Sequence, residues 1–135
     1  MDKTQSVTLM SININGNVAA LEKASCLTYM NKFDVVVLIE LKCSYVFSVP
    51  SFTLLRSSDR DQRGGVGVLM KHKLMSNVFD VQLLNDQVWF SLSFIPNVKF
   101  CACYIPPADS LYFNPESFSD IQSQVLGSGQ HVLLI

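Results

Sequence analysis

Three side chains suited to phosphate chemistry stand at the ends of apolar runs whose patterns do not require them. Asn13 lies in "SINI", Glu40 closes "VVVLIE" and Tyr104 closes "FCACY". A carboxylate can hold Mg2+, a hard cation that takes one or two protein oxygens and keeps several waters. A metal held in this way neutralises a phosphate oxygen and stabilises a leaving alkoxide. A carboxamide both donates and accepts, so Asn13 can orient a carboxylate or a water. A tyrosine hydroxyl can donate to a non-bridging phosphate oxygen as charge grows in the transition state.

Each of the three also has a plainer role. Asn13 suits a turn before Gly16. Glu40 suits the point where a buried strand meets water, and Tyr104 suits a half-buried aromatic with a wet hydroxyl. Their conjunction points to a site, because open α/β sheets place ligands at the carboxyl ends of strands. A base to activate water is missing from the set. His72 lies in the basic stretch "MKHKLM" and His131 opens the last apolar run. Neither has an evident acidic orienter, so both read as structural or surface residues.

The elements that must carry these residues follow from periodicity. "VTLMSINI" alternates as a strand and "NGN" breaks it. "VAALEKASCLTYMNKF" predicts a helix, with Ala20, Leu21, Ala24, Leu27 and Met30 on one stripe. Val35 to Ile39 are apolar without a gap, as in a strand covered on both faces. Strand, helix, strand in this order argues a crossover and an α/β (α+β) fold. "FTLLRSS" and "VGVLM" flank "DRDQRGG", a polar, glycine-ended segment that suits a hairpin loop. "VFDVQLL", "VWFSLSFI" and "KFCACYI" follow, separated by "NDQ" and "PNV", and the prolines at 106 and 107 stop the last of them. Asn114 can cap a second helix with Pro115 at its first position. Phe118, Ile121 and Val125 would form its stripe, and Gly127 or Gly129 would end it. "HVLLI" is a further buried strand.

Composition narrows the functional classes. At 135 residues the chain is about one domain. The apolar fraction is 49%, mean hydropathy is +0.29, and charged residues are 16%, which excludes a disordered chain. No apolar run approaches the ~20 residues of a membrane helix. "MDKTQSVTLM" lacks the layout of a signal peptide, so an intracellular protein is expected. The net charge of −1 gives no footprint for nonspecific nucleic-acid binding, so contact with a polyanion would need a local patch or a metal. Cys26, Cys43, Cys101 and Cys103 form no CxxC pair and have no His at ligand spacing. They read as buried reduced thiols rather than a zinc site, with Cys101 and Cys103 on one strand face.

At the strand-end residues the sequence resembles the endonuclease/exonuclease/phosphatase superfamily. "SININGN" is similar to the "NING" that opens the endonuclease domain of non-LTR (LINE-type) retrotransposons. "FDVVVLIE" resembles the strand that delivers the metal-binding glutamate. "RGGVGVLMK" looks like a Gly-rich lead-in to a strand of these domains, and "CYIPP" is similar to the motif of the active-site tyrosine. The resemblance implies Glu40 as a ligand for Mg2+ or Mn2+, with Asn13 and Tyr104 as catalytic residues. It implies a DNA partner, a nuclear site of action for a retroelement product, and a four-layer α/β sandwich of two mixed sheets. The departure lies after Glu40, where Leu41 and Lys42 replace the usual Thr and a following aromatic or His.

In the family, the strand similar to "HVLLI" leads into Gly-Asp-Phe-Asn, and a later Ser-Asp-His supplies the catalytic histidine. Both motifs would lie beyond Ile135. Residues 1–135 are therefore expected to be the first part of such a domain, truncated before its second half and inactive alone. A bare sheet face carrying Val36, Leu38, Phe100 and Ala102 is expected to drive self-association. The competing readings are a non-catalytic remnant or binding module, and a phosphatase of the same superfamily acting on a phosphoinositide or nucleotide.

Overall fold

The computed structural model describes residues 6–58, 65–104, 119, 121–123 and the backbone of 131–134. Residues 59–64, in the expected hairpin loop "DRDQRGG", the prolines at 106 and 107, the expected Asn114 cap with Pro115, Phe118, Val125, Gly127 and Gly129 lie outside the described residues.

Among the described residues, eight strands form two four-stranded sheets. The first sheet holds β1 (Leu9–Asn13), β2 (Val35–Ile39), β3 (Phe52–Arg56) and β4 (Val66–Lys71), in the order β1-β2-β4-β3. The second holds β5 (Val78–Leu84), β6 (Gln87–Leu92), β7 (Ile95–Cys103) and β8 (His131–Leu134), in sequence order. β1 and β2 run parallel, as the crossover predicts, and β2, β4 and β3 are antiparallel neighbours. β5, β6 and β7 form a meander, and β8 returns parallel to β7. Both sheets are therefore mixed.

Alternation along each central strand builds the layers. Val35 and Val37 of β2 and Val66, Val68 and Met70 of β4 point inward, against Val88, Phe90 and Leu92 of β6 and Phe100 and Ala102 of β7. Phe90 and Phe100 are register partners with stacked rings, centroids 5.0 Å apart. The opposite face of the first sheet, with Val36, Leu38 and Leu69, packs under Val18, Leu21 and Met30. The outer face of the second sheet, with Trp89 and Cys101, packs under Ile121, a helical residue. The result is helix, sheet, sheet, helix, the four-layer sandwich.

This arrangement corrects one expectation. Val36, Leu38, Phe100 and Ala102 were expected on a bare face, yet all are buried, at 0 to 2% exposure. The chain switches sheets after β4, so the strands expected to make most of one sheet instead make two that cover each other. Self-association through that face loses its basis.

Two boundaries also differ from the pattern. The first helix is split into a 3-10 turn (Val18–Glu22) and α1 (Ala24–Met30), because Lys23 between them is extended (φ −70°, ψ 138°). Leu21 and Met30 are buried as expected, but Ala24 is exposed. β7 begins at Ile95 rather than after "PNV", since the chain turns at Ser93 and Phe94, and Pro96 sits beside a register shift near the strand start, where a missing N–H is tolerated. The four cysteines are free thiols, two buried (Cys43, Cys101) and two half-buried (Cys26, Cys103). Among the described residues no helix is long and apolar enough to cross a membrane.

Candidate functional site

The parallel register of β1 and β2 pairs Asn13 with Ile39, so both strands end at the same edge. Beyond that edge two loops interlock. Asn13 Oδ1 accepts the Asn15 N–H at 2.9 Å, an Asx turn that reverses the chain. The Gly16 N–H donates to the Glu40 carbonyl at 2.8 Å, and the Ile14 N–H donates to the Ile39 carbonyl at 3.1 Å. Gly16 is required here: its φ is +76°, and a Cβ would lie 3.2 Å from Lys42 Cβ. The turn reading of Asn13 is thus realised. Its side chain is exposed at the rim, and its oxygen is committed to the turn.

Glu40 leaves β2 with φ +57°, and Lys42 follows with φ +49°. The Leu41 side chain between them is fully buried, so the two charged side chains remain at the rim. Arg56 of β3 braces the next turn of chain. Its guanidinium donates to the Cys43 carbonyl at 2.5 Å and to the Tyr45 carbonyl at 3.1 Å, while its Nε is buried without a partner.

The second sheet completes the rim. The Tyr104 hydroxyl, just past β7, donates to Glu40 Oε1 at 3.1 Å. The Tyr104 N–H donates to the carbonyl of Asp86, in the turn between β5 and β6. Asp86 Oδ1 in turn accepts the Gly65 N–H at 3.1 Å, and the Gly65 carbonyl accepts from Leu41. Burial raises the Tyr104 pKa, and the hydrogen bond to Glu40, the charge of Glu40 and the charge of Asp86 push it the same way. The phenol stays protonated, as a donor must.

Lys42 adds a cation. Its ammonium donates to Asn15 Oδ1 at 2.7 Å and lies 3.7 Å from Glu40 Oε2. Two oxygens from two loops therefore face one positive charge. One carboxylate and one amide oxygen also suit a hard divalent ion that keeps most of its water. Among the described residues no group of three or more His, Cys, Asp or Glu could hold a metal. An ion here would rest on Glu40, Asn15 and water, which fits Mg2+ or Mn2+ held loosely.

Left-handed backbone gathers at the same rim. Asn15, Gly16, Glu40, Lys42, Gly65 and Asp86 all have positive φ, and elsewhere among the described residues only Ser51 and Asp80 do. Such conformations persist where the surroundings enforce them and cluster at functional sites.

Of the residues singled out in the sequence, Glu40 and Tyr104 meet directly and Asn13 stands beside them through the turn. His72 does not join them. It follows β4, whose Met70 pairs with Val35 at the start of β2, so it lies at the opposite end of the sheet from Glu40. The backbone of His131 pairs with Val98, also far along β7 from Tyr104. Sequence reasoning missed Asn15, Lys42 as a partner of Glu40, and Asp86. The "NDQ" break marked Asp86 as a turn residue, and the register that pairs Gln87 with Cys103 is what brings it level with Tyr104.

No protein-family model and no curated protein matches the chain. Solved structures do. An AP endonuclease from Archaeoglobus fulgidus superposes with TM-score 0.56 and 14% identity, over 90% of this chain and 49% of that one. The 3' phosphatase NExo from Neisseria, bound to a product DNA hairpin, gives TM-score 0.60 and 15% identity, over 96% of this chain and 56% of that one. The chain shares its fold with these two structures. It spans about half their length.

Proposed function

We propose that this chain carries part of the active site of a metal-dependent DNA phosphoesterase, with Glu40 as the metal ligand and Tyr104 as the phosphate donor. The observation that carries the reading is the 3.1 Å bond between Tyr104 and Glu40, which joins two sheets at one strand-end rim. The fold likeness to a DNA endonuclease and a DNA 3' phosphatase supports nucleic acid as the substrate class.

In this reading Glu40, with Asn15, holds Mg2+ or Mn2+. The ion, when bound, supplies charge neutralisation at the phosphate and the leaving oxygen. With substrate bound, the Tyr104 hydroxyl turns its hydrogen bond from Glu40 Oε1 to a non-bridging phosphate oxygen, and its raised pKa keeps the phenol protonated as that donor. Asn13, held by its own turn, offers its amide nitrogen to the phosphate or to a water. The Leu41 N–H, bonded to the Gly65 carbonyl, fixes the backbone of the loop that carries Glu40.

Among the described residues no histidine lies at the rim, and the Asp86 carboxylate there is engaged by the Gly65 N–H. β8 runs parallel to β7, and its Leu134 pairs with Cys101, so its carboxyl end heads toward the Tyr104 rim. A Gly-Asp-Phe-Asn motif after such a strand would arrive beside Tyr104. Activity is accordingly proposed for a protein that adds these groups, and residues 1–135 alone are proposed to be inactive. The LINE-type origin and nuclear action belong to the same proposal, supported by "SININGN" and "CYIPP".

The test uses supercoiled plasmid, a duplex with an abasic site and a hairpin ending in a 3' phosphate, each with Mg2+. Residues 1–135 should leave all three intact, and a chain extended through the missing motifs should act on one. Cleavage of plasmid or abasic duplex supports the endonuclease reading, and release of phosphate alone supports a DNA 3' phosphatase. Robust turnover by residues 1–135, abolished by Glu40→Ala, would overturn the assignment of the missing base.

A further inference from the structure

We infer that Lys42 is a built-in counter-ion which a divalent metal must displace from Glu40, so that this lysine sets the metal affinity of the site. The inference rests on the proposed reading of Glu40 as the metal ligand.

The Lys42 ammonium already occupies the position a cation would take. It lies 2.7 Å from Asn15 Oδ1 and 3.7 Å from Glu40 Oε2, the two oxygens best placed for a hard ion. The other carboxylate oxygen is engaged by Tyr104. The base of the side chain is fixed: its backbone is left-handed at φ +49°, and a methyl at Gly16 would lie 3.2 Å from Lys42 Cβ. Two positive charges cannot share Glu40 Oε2 at this range without strong repulsion. Metal coordination there requires the ammonium to leave.

Departure is feasible. About a third of the Lys42 side chain is exposed (35%), against 19% for Glu40. A flexible four-carbon stem can carry the charge to water while the backbone stays fixed. The site is therefore charge-compensated before any metal arrives, and Mg2+ must compete with an intramolecular ligand as well as with its own hydration.

The experiment is a Mn2+ titration of residues 1–135, read by paramagnetic broadening of the Glu40 and Gly16 amide signals. Wild type, Lys42→Met, Lys42→Arg and Glu40→Gln are compared. Lys42→Met should lower the half-broadening concentration by about tenfold or more, because it removes a like charge beside the ligand. Lys42→Arg keeps the charge and should stay near wild type. Glu40→Gln should abolish site-specific broadening. Lys42→Gln, which removes the charge but keeps a polar stem, gives the same readout should the Met variant disturb the fold. Equal or weaker affinity in the neutral variants, with binding still lost in Glu40→Gln, would overturn the inference and leave the site reading standing. Broadening that survives Glu40→Gln would remove the site reading itself.

Discussion

The Tyr104 hydroxyl and the Glu40 carboxylate belong to different sheets and lie 64 residues apart in sequence, yet they share a 3.1 Å hydrogen bond. The bond ties the end of β2 to the end of β7 and adds to what burial does in keeping the phenol protonated. Burial, the hydrogen bond to Glu40, and the charges of Glu40 and Asp86 all raise the Tyr104 pKa above 10.0. The folded-state value is raised, so its stabilising contribution is complete below pH 10.0 and is lost as pH rises through the folded value. Spectrophotometric titration should find a tyrosine that ionises late, and Tyr104→Phe should remove that phase. Glu40→Gln should move it down. A titration unchanged by both variants would contradict the bond.

Tyr104→Phe removes a donor and no carbon. In an active, extended protein it should lower kcat by roughly 10²-fold, the scale of one lost transition-state donor. The unfolding free energy should change by only about 1 kcal/mol, since the bond to Glu40 is only partly buried. A loss of stability with unchanged kcat would make the residue structural.

Gly16→Ala tests the interlock of the two loops. The substitution places a methyl at φ +76° and 3.2 Å from Lys42 Cβ. It should cost about 1–2 kcal/mol in a chemical melt. Lys42 would be pushed off Asn15, visible as a shift of the Asn15 side-chain amide signals.

Asp34 should govern part of the acid limb of stability. Burial of its carboxyl works against ionisation, but the Thr8 N–H and hydroxyl, with Lys73, outweigh it and hold the pKa below 3.8. A depressed pKa contributes stability above the unfolded value, which is lost as pH falls through the folded one. Asp34→Asn should flatten the dependence of melting temperature on pH below 3.8 and lower it at neutral pH. An unchanged acid limb would rule the pair out.

Phe90 probes the closed sandwich. Its ring is fully buried and stacks on Phe100 between the sheets. Phe90→Ala should cost about 3–5 kcal/mol. Wild type should bind little hydrophobic dye, because the inner faces cover each other. Strong dye binding by wild type would mean the sheets are apart.

The local elements were legible because their causes are local. Val35 to Ile39 had to be buried on both faces, and each is at most partly exposed, between the helix layer and the second sheet. Asn13, Glu40 and Tyr104 were recognisable as polar residues ending apolar strands, and the cysteines as free thiols, since alternation and spacing are written in consecutive residues. Other features depend on partners distant in sequence. The split of eight strands into two covering sheets rests on where the chain crosses over after β4, which no period records. The first helix breaks at an extended Lys23, with Leu21 and Met30 on either side both in the core, where the pattern favoured continuity. Lys42 reads in sequence as a departure from a motif and Asp86 as a turn residue. Only the tertiary structure brings the lysine against Glu40 and Asn15, and the aspartate against Gly65 and Tyr104, because electrostatic contact depends on distance in space and the strand registers that set that distance are decided by the whole sandwich.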